Sequence, residues 1–420
     1  MNKGLRRILK VLGIIIGVLV VLVIGLFIFV QLRWDAPDNR PVPQMTAPTD
    51  KETVARGEYL YKYGNQCWGC HTTGASDATS VPSGGREFDL TGIGPGFGFI
   101  YAPNITPDKE TGIGAWTDGE IVRSLREGLD RDGHVLFPMM PGDYYKGLAD
   151  KDVLAMVAYL RSLPPVKNTV PASRLSLVAK ALFALKMIKA QPAITQPIVA
   201  PTPGATTEYG KYLAINASGC SECHTPRDTN TGKVFFDRMF AGSNFAFGGE
   251  IEDLPAEAHA PNLTPDLEAG IDAWSEEQFI KAMRTGARPD GTVMLTMMPY
   301  PYYSFWTDDD LKAVYRYLRT VPEQKDQVPP IKLLAGATTG TAVEKGNALF
   351  KVYCAVCHGE NGKGAVPTSV ALARAAQTLD DASLQRFIRD GLPGTRMPGF
   401  AKTLSAEQVA DVTAFIRSWK

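Results

Sequence analysis

Histidine is scarce in this chain, five residues in 420, and cysteine is nearly as rare, with six. No Ser/His/Asp constellation can be assembled, and no glycine-rich phosphate loop appears, so neither triad hydrolysis nor nucleotide chemistry is indicated. Acidic residues are missing up to Trp34, a segment that holds Lys3, Arg6, Arg7, Lys10 and Arg33. The formal net charge is zero overall, so the remainder is acidic by those five charges. A weakly acidic body does not suit nucleic acid. Period-two alternation of strands is also lacking, which points away from β-rich classes.

Long apolar runs are equally few. Val11 to Val30 is uninterrupted by charge, and at about 1.5 Å per residue it just spans a hydrocarbon core of roughly 30 Å. The preceding basic cluster places the N-terminus in the cytoplasm and everything after Gln31 on the outer, periplasmic side. A cleaved signal peptide is the rival, but the run exceeds the usual core of about 7 to 15 residues and Q-L-R-W-D offers no small-residue cleavage site. A lesser stretch, 173–190, is broken by Lys180, Lys186 and Lys189 and reads as an amphipathic helix. It is expected to pack on a neighbouring domain rather than lie on the membrane surface.

What is present is concentrated. The cysteines form three C-x-x-C pairs, Cys67/Cys70, Cys220/Cys223 and Cys354/Cys357, each followed at once by a histidine: His71, His224 and His358. C-x-x-C-H is the attachment signal for c-type haem, two thioethers with an adjacent imidazole as proximal ligand. A thioredoxin-like pair needs one motif in an α/β setting, structural zinc needs two pairs close together, and disulfides would not explain the histidines. Three covalent haem c groups are therefore expected.

The chain is also internally repeated. Ala102 to Trp116 reads APNITPDKETGIGAW and Ala260 to Trp274 reads APNLTPDLEAGIDAW, an offset of 158 that also carries Met139-Met140 onto Met297-Met298. The cysteines are offset by 153, so the second copy is longer between the two features. A shorter third unit joins C-A-V-C-H to R-M-P-G-F.

Each unit has an entry segment with a glycine before the haem motif and a helix after Met-Pro, expected at 152–163, 308–321 and 406–419. Thr307 and Ser405 are suitable N-caps; the first copy has Ala149 there, leaving Asp150 to serve. Middle helices should start at Thr117 and Ser275 and stop at Gly128 and Gly286. The expected architecture is all-α: an anchor (1–34), three haem domains (51–165, 205–322 and 342–420) and linkers (166–204 and 323–341).

These units resemble class I cytochrome c domains, with Tyr159, Tyr317 and Phe415 as the closing-helix aromatics that cross the entry-helix glycine. On C-H-T-P-R, A-P-N-x-T-P-D and Met-Pro, most of the chain resembles the triheme cytochrome c subunit of membrane-bound alcohol, aldehyde and gluconate dehydrogenases. It departs from that family at Gly142, where tyrosine is usual. The resemblance implies a dehydrogenase catalytic subunit as electron donor.

A sixth iron ligand is expected from the methionines directly before proline, Met140, Met298 and Met397, since His/Met ligation raises the potential and keeps the iron closed. Met139 is then a pocket-wall residue. His134 and His259 are the alternatives. The expected role is electron carriage to a quinone, soluble cytochrome or terminal oxidase. The rival readings are a multihaem peroxidase, a gas-binding protein, and a subunit of another respiratory or photosynthetic complex.

Overall fold

The computed structural model describes residues 3–73, 78–92, 96–228, 234–249, 254–364 and 371–419. Three stretches of chain repeat one construction, in which an entry helix is crossed by a closing helix. The pairs are Lys51–Tyr59 with Asp150–Ser162, Thr207–Tyr212 with Asp308–Leu318, and Ala342–Tyr353 with Ala406–Arg417. A glycine makes each crossing close. A Cβ added to Gly57, Gly210 or Gly346 would overlap the carbonyl oxygen of Ala155, Ala313 or Asp411, and would lie 2.9 to 3.0 Å from the Cβ of Tyr159, Tyr317 or Phe415.

Capping follows the side chains available. Thr117 and Ser275 form full capping boxes on the middle helices Asp118–Glu127 and Glu276–Thr285, which end at left-handed Gly128 and Gly286. Thr307 and Ser405 cap the second and third closing helices. The first closing helix has no side-chain cap, contrary to the expectation for Asp150. Its carboxylate is committed elsewhere, 2.7 Å from Arg126 and accepting from the Ile198 amide. A middle helix that the sequence pattern did not disclose, Asp381–Asp390, occupies the third stretch.

The chain is mostly helical, as expected, and carries two small sheets besides. Glu87–Asp89, Gly98–Tyr101 and Arg174–Leu175 form a three-stranded antiparallel sheet, and Phe247–Gly249, Leu254–Ala258 and Lys332–Leu333 form a second. Strands this short show no alternation, and the third of each set comes from beyond the closing helix. The linkers are accordingly not loose tethers. The 191–198 segment is bonded to the first repeat through Gln191 to Glu127 and through paired bonds between Ile198 and Asp150.

The N-terminal helix, Lys3–Arg33, is long and apolar enough to cross a membrane, and its apolar side chains are exposed apart from Val30. The amphipathic helix is shorter than expected, Leu177–Ala184, because Arg174–Leu175 is strand and Ser176 is the N-cap. Ala179, Phe183 and Ala184 face inward, as packing on a domain requires.

The first two repeats share one hydrophobic core, which includes Leu60, Tyr61, Met156 and Val157 from the first and Tyr209, Leu213, Leu311 and Val314 from the second. Their contacts come in equivalent pairs. Tyr59 donates to Asp310 at 2.5 Å and accepts from the Thr307 amide at 3.2 Å. Tyr212 donates to Asp152 at 2.7 Å and accepts from the Ala149 amide at 3.1 Å. Offsets of 153 between the tyrosines and 158 between the aspartates make these one contact made twice. The two repeats pair here as the subunits of a twofold dimer do. The third stretch has a core of its own, to which Ala256, Val293 and Leu295 of the second repeat contribute.

Candidate cofactor sites

Each C-x-x-C-H lies on a short helical turn just after an entry helix: Trp68–His71, Cys220–His224 and Ala355–His358. In the first two repeats the entry helix closes on a five-residue π-helical turn, Leu60–Gly64 and Leu213–Ala217, whereas Ala342–Tyr353 is α-helical throughout. None of the six cysteines forms a disulfide.

His71 and His224 are buried, and each places Nδ1 2.8 Å from a proline carbonyl oxygen, of Pro103 and Pro261 respectively. A carbonyl only accepts, so Nδ1 carries the proton and Nε2 keeps its lone pair for a metal. Burial favours the neutral ring, pushing His224 down to about 4 and lowering His71 as well. Both rings are thus held in the ligating tautomer.

This gives the repeated A-P-N-x-T segment its purpose. Asn104 accepts from the amide and hydroxyl of Thr106 and donates to the Val166 carbonyl at 2.8 Å. Asn262 does the same with Thr264 and the Gln324 carbonyl. The turn so locked presents the proline carbonyl to the imidazole. Pro103 and Pro261 are functional residues that the sequence reading passed over, although the exact repetition of the segment was the signal. In the third stretch, residues 365–370 lie outside the described residues.

The surroundings fit a large buried group that brings most of its own metal ligands. Among the described residues no three His, Cys, Asp or Glu side chains cluster to hold an ion alone. Burial raises the Cys67 and Cys354 thiols to about 12, so they are held as neutral thiols a turn from the histidine. Buried Tyr61 Oη, Tyr144 Oη and Arg227 Nε have no hydrogen-bond partner among the described residues. A c-type haem bound there supplies one-electron exchange at its iron, while the chain supplies attachment, one imidazole ligand and exclusion of water.

The methionines separate by position. Met140 and Met298 are partly buried against the shared core, while Met297 packs on the third core. Met139 is 40% exposed. Met397 is half-buried in a loop where its amide donates to Thr395 Oγ1. Of the alternatives, His134 pairs with Asp130 at 3.3 Å and His259 Nδ1 lies 3.1 Å from the Ser243 carbonyl.

The three motifs are brought close to one another. Trp68, inside the first motif, packs on Tyr302 of the second repeat at 4.7 Å. The counterpart of Tyr302, Tyr144, is buried beside Glu222, Cys223 and Arg227 of the second motif. Tyr300 is buried against the Cys354 and Cys357 thiols of the third. Its counterpart in the first repeat is Gly142, against which the linker's Gln191 lies. A cleft of about 520 Å³ lies between the first motif, the 297–302 segment of the second repeat and the third motif, lined by Trp68, Met297, Tyr302, Val356 and Glu360 among others.

Paired thiols, a buried neutral imidazole and a helical scaffold define a c-type cytochrome. Residues 54–164 and 207–322 match the cytochrome c family model, and 341–416 match that of cbb3-type cytochrome c oxidase subunit III. The cytochrome c subunit of the quinone alcohol dehydrogenase of Gluconobacter oxydans is 31% identical, over 88% of this chain and 78% of the relative. The fructose dehydrogenase cytochrome subunit of Gluconobacter japonicus is 28% identical, over 90% and 82%. The gluconate 2-dehydrogenase cytochrome c subunit of Pantoea cypripedii is 29% identical, over 87% and 85%. The chain belongs to this family of dehydrogenase cytochrome c subunits, and it is an electron-transfer protein.

Proposed function

We propose that this is a triheme cytochrome c, anchored by its N-terminal helix in the cytoplasmic membrane, with its three haem domains on the periplasmic side. It carries single electrons from a dehydrogenase catalytic subunit to a quinone, soluble cytochrome or terminal oxidase. Haem attaches at Cys67/Cys70, Cys220/Cys223 and Cys354/Cys357, with His71, His224 and His358 as proximal ligands. Met140, Met298 and Met397 are the sixth ligands, and the domains are those delimited at 51–165, 205–322 and 342–420.

The observation that carries this reading is the recurrence of one construction: a glycine-crossed helix pair beside each C-x-x-C-H. The partial burial of Met140 and Met298 against the shared core, beside an exposed Met139, supports the choice of methionines. The choice of partner is supported by the relatives, which are cytochrome subunits of dehydrogenases.

Purification in mild detergent, with haem counted against protein, tests both parts. Three covalent haems and a co-purifying dehydrogenase subunit are expected; fewer haems, or a chain that purifies alone, would sink the proposal. Met140→Ala should shift the spectrum and potential of one haem while Met139→Ala leaves both unchanged. The reverse result would overturn the ligand assignment.

A further inference from the structure

The short helix Leu177–Ala184 is held to the first repeat at both ends. Ser176 at its start accepts from the Ala179 amide while its own Oγ donates to the Gly96 carbonyl at 2.6 Å and its amide to the Phe97 carbonyl at 3.0 Å. Beyond its end, the Gln191 amide donates to the Glu127 carbonyl at 2.9 Å. Inward-facing Phe183 packs on Phe137, which in turn packs on Phe97.

A segment so fixed has no need of further packing, yet its outer face is apolar. Leu177, Val178, Leu185 and Met187 are exposed by 51, 43, 55 and 68%. Lys180, Lys186 and Lys189 lie among them, with no acidic residue between Arg174 and Gln191. The location of this face decides what covers it. The helix packs on the last turn of the Lys3–Arg33 helix, where Val30 is buried, and Lys180 sits 4.9 Å from the Trp34 ring at the exit of the apolar run. Tryptophan and basic residues at the end of a span mark the boundary between hydrocarbon and water. An apolar strip rimmed by lysines at that level has the composition of a helix that lies in the interface.

We propose that the Leu177–Ala184 helix and the turn after it lie in the headgroup layer of the membrane, as a second, in-plane contact selective for anionic lipid. This rests on the reading of the N-terminal helix as a membrane anchor. The lysines supply attraction to the acidic headgroups, and the four apolar side chains enter the boundary of the acyl region. Through Phe183 and Phe137 the contact fixes the first repeat, with the loop that carries Met140, close to the membrane plane.

The test uses the full haem-loaded chain in vesicles of phosphatidylcholine and phosphatidylglycerol. Nitroxide labels on Leu177→Cys, Met187→Cys and, as a control in the same linker, Val199→Cys, which is 85% exposed, are probed by power saturation with oxygen and with a water-soluble nickel chelate. The ratio of oxygen to nickel accessibility should be several-fold higher at 177 and 187 than at 199, and should fall toward the control value when phosphatidylglycerol is omitted. Equal ratios at all three sites, in protein that still floats with the vesicles after a carbonate wash, would overturn this inference and leave the anchor standing. Protein that does not float would overturn the anchor and the inference together. Labels at 177 and 187 that respond to a co-purified catalytic subunit but not to lipid would assign the face to a protein partner, and the inference would be wrong.

Discussion

The first two repeats meet through contacts that occur twice, whereas the third stretch meets the second through contacts that occur once. Tyr59 with Asp310 and Tyr212 with Asp152 are the doubled set, and Gly64 approaches the Ala217 carbonyl at the centre, where each is the other's counterpart. The third stretch attaches by Thr296 to the Val352 carbonyl, Thr403 to the Val293 amide, and Arg396 to Ser304 and Phe305. The duplicated pair thus has one core, and the third stretch packs on it as a neighbour with a core of its own.

Breaking the helix crossing tests that difference with the largest effect. Gly57→Ala drives a methyl group into the Ala155 carbonyl, a backbone obstacle that cannot rotate away. Overpacking of this kind costs about 3 kcal/mol. Because the core is shared, Gly57→Ala should lower the unfolding temperature of both repeats together, read by the visible bands of their haems. Gly346→Ala should cost a similar amount but release the third stretch alone. If Gly346→Ala destabilised all three regions alike, the division into a pair and a neighbour would be wrong.

The two aspartates of the doubled contact are not equal, and this offers a sharper comparison. Asp152 also receives both Nε and Nη2 of Arg56 at 2.9 Å, and it is almost fully buried. The position equivalent to Arg56 is Tyr209, so Asp310 has no corresponding guanidinium. Asp152→Ala strands a charged partner and should cost about 3 kcal/mol. Asp310→Ala removes one phenol bond and should cost about 1 kcal/mol. Chemical denaturation of the two variants checks this; equal losses would mean that Arg56 contributes nothing to the pairing.

How much of this was legible beforehand differs by feature. The cytochrome c class was, because attachment chemistry demands three residue types at one spacing and leaves no freedom. The helix ends at Thr117, Ser275, Gly128 and Gly286 were, because capping is local. The two small sheets were not: strands of two to five residues carry no period, and their third members lie more than seventy residues further along the chain. Asp150 misled for a related reason, since a carboxylate beside a helix start reads as a cap until Arg126 is seen to hold it. The proline carbonyls on His71 and His224 were hidden because the donor is backbone, although the repetition of A-P-N marked the place.

Removing one phenol from each half comes next in size. Tyr59→Phe and Tyr212→Phe each delete a hydroxyl that both donates and accepts, for about 1 kcal/mol apiece. The two tyrosines stand on different halves but bear on one interface, so the double variant reports whether the halves act together. Losses that simply add would describe two independent contacts; a combined loss different from the sum by more than about 0.5 kcal/mol would show coupling through the shared core.

The smallest effect is expected where the third stretch is held by a surface side chain. Arg396 lies 4.3 Å over the Phe305 ring and donates to Ser304 Oγ at 2.9 Å, next to the Met397 loop. At an exposed site such a contact is worth about 0.5 to 1 kcal/mol. Arg396→Ala should therefore leave unfolding nearly unchanged while loosening the junction, seen as faster hydrogen exchange at 300–305 and 395–399. Exchange that stayed the same would show that the threonine bonds and the third core alone hold the stretch in place, and the single-copy interface would then be as firm as the doubled one.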